Sequence, residues 1–467
     1  MRAFPDHPFL RGNYGPVLLE ADAPDLVIEG EVPKDLAGTL YRNGPNPRFP
    51  PRGKGHHWFL GDGMVHAFHI EDGRVGYRNR WVRTGKFIAE SEAGEPLFGS
   101  SFGPMGHDPR AANLKRNVAN TNIVWHGNRL LALEEGNPPV ELDPVTLETK
   151  GSWTFHEGYA GPFTAHPKLN PETGEMLFFG YQAKGPASPF LAYGVVGADG
   201  NLTRLDFIEA PYCAMVHDFV TTDRHVIFPV FPATIDVERI MAGGPAVAWD
   251  PTKASHIGIM PHDGDIDDLR WFTGDPCYVF HPMNAFSQGD RVVCDMMKYD
   301  RVPLFPNADG SEVGTLRNTP AKLVRWTFDL ADNTESFTEA PLDDLPGEFP
   351  RLDERRTGLS YRHGYFGAVT GSGDDPASFD TIAHLDLQTG ARDLWRPGDG
   401  ITVMEPVFVP RTEAEGDGWL LAVTYRPDEN RSDLAILDAT DVAAGPVALA
   451  QLQTRVPYGF HGNWRGA

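Results

Sequence analysis

Apolar and polar residues alternate in short runs along most of the chain, and the runs are bounded by turn residues. Val65-His-Ala-Phe-His-Ile70 and Val75-Gly-Tyr-Arg-Asn-Arg-Trp81 flank Glu71-Asp-Gly73, and Asn122-Ile-Val-Trp125 and Leu130-Leu-Ala-Leu133 flank Gly127-Asn128. Pro171-Glu-Thr-Gly174 precedes Met176-Leu-Phe-Phe179, and Thr381-Ile-Ala-His-Leu385 runs into Gln388-Thr-Gly390. A period of two marks a strand with one face buried, and Gly or Asn supplies the positive φ that a tight hairpin turn needs. Helical periodicity is scarce, with Val237-Glu-Arg-Ile-Met241 the clearest candidate. Roughly two dozen short strands joined by turns predict an all-β protein, either paired sandwiches or a propeller. No linker and no recurring dipeptide such as Trp-Asp is visible, so residues 1–467 are expected to form one domain without a regular repeat signature.

Composition narrows the partners. The 41 Lys+Arg stand against 64 Asp+Glu, a net charge of -23. Binding to nucleic acid or to an anionic membrane surface needs clustered cations, so neither is expected. The 50 glycines and 41 prolines are dispersed as turn punctuation. Cys213, Cys277 and Cys294 have no C-x-x-C spacing, which implies neither a disulfide framework nor a zinc ribbon. Met1-Arg-Ala-Phe-Pro-Asp6 lacks an apolar leader, and no run of about 18 apolar residues marks a membrane span. The expectation is a cytoplasmic protein without a transmembrane segment.

Among 17 histidines, His56, His57, His66 and His69 look like a cluster. His66 and His69 are three apart on a predicted strand, however, and so point to opposite faces. Four others share a different pattern: Phe163-Thr-Ala-His166-Pro, Met215-Val-His217-Asp-Phe, Val279-Phe-His281-Pro-Met-Asn and Gly459-Phe-His461-Gly-Asn-Trp. Each has an apolar run leading in and Pro, Gly or Asp leading out, the signature of a histidine near the end of a buried strand. The last lies in an aromatic-rich terminus, Arg455 to Trp464, where a frayed end would be ordinary. The gaps of 51, 64 and 180 residues form no local metal motif. These are either core histidines or ligands gathered by a divalent metal, which is the natural reason to converge buried imidazoles. Residues so widely spread favour a propeller, whose strands run to one axis.

The chain resembles the carotenoid cleavage oxygenases, and within them the bacterial lignostilbene dioxygenase group. The resemblance runs nearly end to end, through Tyr41-Arg-Asn-Gly-Pro-Asn-Pro47, Gly61-Asp-Gly-Met64, Ala119-Asn-Thr-Asn122, Thr164-Ala-His-Pro167, Val216-His-Asp-Phe219, Phe280-His-Pro-Met-Asn284, Gly347-Glu-Phe-Pro-Arg351, Glu405-Pro-Val-Phe-Val-Pro-Arg411 and Phe460-His-Gly-Asn-Trp464. It implies a seven-bladed β-propeller with a dome of loops and short helices over one face. It further implies one Fe(II) per chain on His166, His217, His281 and His461, with Glu135, Glu348 and Glu405 behind the imidazoles. Thr121 matches a threonine whose methyl group crowds one open iron position. The implied reaction inserts O2 across a conjugated alkene and gives two carbonyl products. The partners are then O2 and a small hydrophobic alkene, in a monomer or homodimer. No fingerprint for NAD, flavin or haem is present, and none of these is expected.

In the lignostilbene group a phenylalanine, a tyrosine and a lysine line the substrate pocket. They align with Phe59, Ser101 and Glu134. The departure at the last two removes a cation that would stabilise a phenolate, which favours a phenylpropene, a vinylphenol held as the neutral phenol, or a non-phenolic stilbene. The alternatives are an apocarotenoid-cleaving dioxygenase, a non-cleaving iron-dependent isomerase and a metal-free binding propeller. Gly99-Ser-Ser-Phe-Gly103 fits the spacing of a nucleophile elbow, but the residues after it do not read as the helix such an elbow requires.

Overall fold

The computed structural model describes residues 3–53, 55–103, 105–311, 314–371 and 378–467. Strands dominate. The α-helices among the described residues are Gly85–Ala93 and Val237–Met241. Residues 1–160 and 395–467 make one compact unit, and residues 161–394 make another.

The first unit contains three antiparallel sheets. In one, the order is Asp22–Ala23, Arg74–Trp81, Gly63–Glu71, Gly38–Pro45 and then Gly462–Gly466. The C-terminal strand is thus paired with a strand from the start of the chain, with Leu40 opposite Trp464 and Arg42 opposite Gly462. This ladder is why the aromatic terminus is ordered. Gly44 permits the approach, since a Cβ there would lie 2.5 Å from the Cα of Gly459. A second sheet runs Asn122–His126, Arg129–Leu133, Val140–Leu142, Thr149–Ser152. The third is built around Gly418–Arg426 and Arg431–Asp438.

The second unit holds four sheets of four strands each, beginning at Lys168, Val220, Tyr278 and Gly347, plus a two-stranded ribbon of Ala233–Ile235 and Val247–Trp249. Met176–Gly180 is buried along its whole length. Covering both faces of a strand in this way replaces alternation by a continuous apolar run. Arg74–Trp81, by contrast, alternates as its sequence predicts.

Helix Gly85–Ala93 is a finding that hydrophobic periodicity did not predict. Thr84 caps it by accepting a hydrogen bond from the N–H of Phe87, and Gly94 ends it at φ 68°. Its buried face carries Lys86 and Glu90. The Lys86 ammonium donates to Asp62 at 2.6 Å and to Glu90 at 2.8 Å, and all three residues are buried. His66 and His69 diverge as their spacing demands: His66 is buried against the Tyr77 hydroxyl at 2.7 Å, and His69 is exposed.

Candidate metal centre

Backbone irregularity aims the histidines. His281 lies in Tyr278–Gln288, whose pairing with Arg291–Tyr299 slips between Val279 and Pro282 and again between Pro282 and Asn284. A bulge re-aims the side chains beside it, and Pro282 has no N–H to donate to the ladder. Glu348 sits at a similar slip in Gly347–Leu352, and Phe349 next to it has φ 54°. Non-glycine residues in that region cluster where function over-determines the backbone.

One nitrogen from each of His166, His217, His281 and His461 lies within 4.8 Å of the other three, and all four residues are buried. The Nε2 of His217 is 3.1 Å from the Nε2 of His166 and 3.0 Å from that of His281. A ring nitrogen of neutral imidazole carries either one hydrogen or one lone pair. It would therefore have to share that one site between two neighbours, a weak three-centre arrangement for buried groups. A shared cation accounts for both contacts. Ligands at right angles on one ion with bonds of about 2.1 Å stand about 3.0 Å apart, whereas a tetrahedral arrangement would spread them further.

The outer nitrogens support the same assignment. Nδ1 of His281 donates to Oε2 of Glu348 at 2.5 Å, and Nδ1 of His461 donates to Oε1 of Glu405 at 2.8 Å. Each carboxylate also accepts a backbone N–H, from Phe349 at 2.6 Å and from Gly462 at 2.8 Å. With Nδ1 protonated, the inner Nε2 is left with its lone pair, as a metal requires. His461 is held by its backbone as well: its N–H donates to the Thr121 carbonyl at 3.1 Å, and its carbonyl accepts from the Asn43 N–H at 2.9 Å. Glu135 is half-buried just beyond the strand Arg129–Leu133. The four-histidine cluster with its carboxylates fits a divalent metal.

Beside His461, the ring of Phe460 packs on Trp58 at 4.6 Å and edge-on to Phe59 at 5.2 Å. Asn120 fixes the Phe59 turn by donating to the carbonyls of Phe59 and Gly61. Phe59 therefore belongs to an aromatic wall continuous with a histidine of the cluster. Ser101 is exposed. Its neighbour Phe102 reaches this wall instead, 4.8 Å from His57, which in turn lies 4.8 Å from Phe59. The Glu134 carboxylate accepts from the Gly136 N–H at 2.9 Å and from the Asn137 amide, and burial pushes its pKa up to about 7. Residue types alone gave no sign of Arg116. Its guanidinium donates to the carbonyls of Ser101 and Gly99 at 2.7 and 3.1 Å, and burial lowers its pKa against the opposing charges of Glu90 and Glu134. The loop thus holds a cation after all, one committed to backbone oxygens and to the His107 ring.

Comparison with known proteins gives one answer. The model of the retinal pigment epithelial membrane protein family (RPE65) matches residues 14–466. Isoeugenol monooxygenase of Pseudomonas nitroreducens is 40% identical over 473 residues, covering 98% of this chain and 98% of that protein. Lignostilbene-alpha,beta-dioxygenase isozyme III of Sphingomonas paucimobilis is 36% identical over 488 residues, covering 100% and 99%. The crystal structure of Pseudomonas brassicacearum lignostilbene dioxygenase matches with a TM-score of 0.96 at 38% identity, over 100% of both chains. The fold is accordingly a seven-bladed β-propeller, the sheets of four or more strands being its blades. The chain belongs to the RPE65 family of carotenoid cleavage oxygenases.

Proposed function

We propose that this protein is a non-haem Fe(II) oxygenase that uses O2 to cleave the conjugated C=C bond of an aromatic alkene of the phenylpropene, vinylphenol or stilbene class, giving two carbonyl products. The observation that carries the reading is the Nε2 of His217 flanked at 3.1 and 3.0 Å by two other imidazole nitrogens, a convergence that a shared cation explains. His166, His217, His281 and His461 would hold the ion. Iron, when bound, supplies the one-electron chemistry that lets O2 react with a closed-shell alkene. Four neutral imidazoles would hold it without bringing any charge of their own.

The chain's own residues do the rest. Glu348 and Glu405 keep the Nδ1 protons of His281 and His461 in place and would offset the charge of a bound ion. By the family resemblance Glu135 would act in the same way, and the Thr121 methyl would narrow the space beside the ion. Phe59, Phe460 and Trp58 offer an apolar face to the aryl ring and exclude water. The relatives named for isoeugenol and for lignostilbene support the aromatic-alkene class. With Ser101 exposed and Glu134 where the lignostilbene group has a lysine, these two positions offer a phenolate no ammonium; the carboxylate can instead accept a hydrogen bond from a neutral phenol.

The test is purified protein assayed for iron and for turnover of isoeugenol, 4-vinylguaiacol and lignostilbene under labelled O2. One iron per chain and label in both carbonyl products, quenched before exchange, are the expected results. Turnover without O2 uptake would replace cleavage by isomerisation, and label in only one product would make it a monooxygenase.

A further inference from the structure

The histidine His166 differs from His281 and His461 in what faces its outer nitrogen. Its Nδ1 lies 3.8 Å from Oδ2 of Asp218, a residue the sequence did not single out. Asp218 is buried, and its other oxygen is fully engaged. Oδ1 accepts from the Lys168 ammonium at 2.7 Å and from the backbone N–H of Phe219 at 2.7 Å. Lys168 in turn lies 5.7 Å from the centre of the Phe219 ring. Asp218 is therefore held on one side by two donors, with its second oxygen turned towards His166. At 3.8 Å the two atoms lie just beyond hydrogen-bond distance, a small ring rotation apart.

We propose that Asp218 is the positioning residue for His166, and that Lys168 holds Asp218 in place and balances its charge. Glu348 and Glu405 behind His281 and His461 each add a negative charge beside the site. An aspartate paired with a lysine supplies an acceptor for His166 without adding a net charge. This rests on the reading that the histidine cluster holds a metal.

The experiment uses the full chain stripped of metal and titrated with Co(II) against a competing chelator, with the visible absorption of the Co(II) protein as a second readout. Wild type should bind one Co(II); if it binds none, the metal reading itself fails. Asp218→Asn removes the acceptor charge and leaves Lys168 facing the site. It should weaken Co(II) binding on the order of 10–100-fold and shift the absorption bands. Lys168→Met leaves the carboxylate uncompensated beside a dication and should tighten binding at least threefold, and it serves as the deciding variant if Asp218→Asn does not fold. Opposite changes in the two variants support the proposal. If wild type binds Co(II) and the folded variants bind it with unchanged affinity and spectrum, losing only thermal stability, Asp218 and Lys168 are a structural ion pair and the proposal is overturned.

Discussion

Nδ1 of His281 and Oε2 of Glu348 stand 2.5 Å apart, both residues buried, with the ring of Phe349 lying 5.5 Å from the imidazole in a stacked arrangement. The carboxylate fixes the tautomer and the ring fixes the orientation. His281 can then present only one nitrogen, in one direction, to the rest of the cluster.

That relationship ranks two substitutions. His281→Ala should abolish both iron retention and alkene cleavage. Glu348→Gln keeps the shape and loses the charge, and should cost about 10–100-fold in metal affinity or activity. Metal analysis after dialysis and steady-state turnover measure both effects. Full activity in His281→Ala would remove the cluster from the mechanism. Stripping iron from wild type with a chelator should likewise stop turnover, and Fe(II) should restore it.

Substrate choice should follow Glu134 and Ser101. Wild type is expected to prefer isoeugenol or 4-vinylguaiacol to lignostilbene. Ser101→Tyr with Glu134→Lys should raise relative turnover of lignostilbene, by up to roughly 10-fold if one charged hydrogen bond of about 1.5 kcal/mol is gained. kcat/KM on the panel decides it. A wild type that prefers lignostilbene, with no gain in the double variant, would show that other residues of the loop set recognition.

Acid stability should depend on His66. Burial, with the charge of Arg42 adding to it, lowers its pKa to about 3. Between that value and the ordinary value of about 6.5, the unfolded chain binds a proton that the folded chain refuses. Stability therefore rises with pH across this window, by up to about 1.4 kcal/mol per pH unit from this group. The contribution is fully present above pH about 6.5 and is lost as the pH falls towards 3. Melting temperatures from pH 7.5 to 4.5 should fall more steeply for wild type than for His66→Gln; parallel curves would assign acid sensitivity elsewhere.

Lys86 should be costly to remove. Its ammonium neutralises Asp62 and Glu90 within the fold, and Glu90 also accepts the backbone N–H groups of Leu97 and Phe98. Lys86→Met leaves two carboxylates uncompensated and should destabilise by about 3–5 kcal/mol. Urea unfolding reads this directly. A loss below about 1 kcal/mol would mean that water screens the pair.

The amino-acid sequence by itself determined the strand architecture, because a period of two with Gly and Asn at the turns has one structural meaning at each hairpin, as in Val65–Ile70 and Val75–Trp81. It also singled out His166, His217, His281 and His461, but not their backbone: the expected strand ends are instead irregular segments just ahead of the strands starting at Lys168, Val220 and Gly462, and only His281 lies within a strand, Tyr278–Gln288. It was silent on helix Gly85–Ala93, because the buried face of that helix is charged, and Lys86 is apolar in effect only once Asp62 and Glu90 are beside it. It did not separate Phe102 from Ser101 in the loop, since adjacent residues differ in direction, and direction is set by the contacts of the folded loop. Nor did it reveal Asp218 with Lys168, or Arg116 with the loop carbonyls, whose partners are distant in sequence. Local patterning is written residue by residue; the pairing of buried charges depends on which atoms the closed chain leaves without water, and only the tertiary structure decides that.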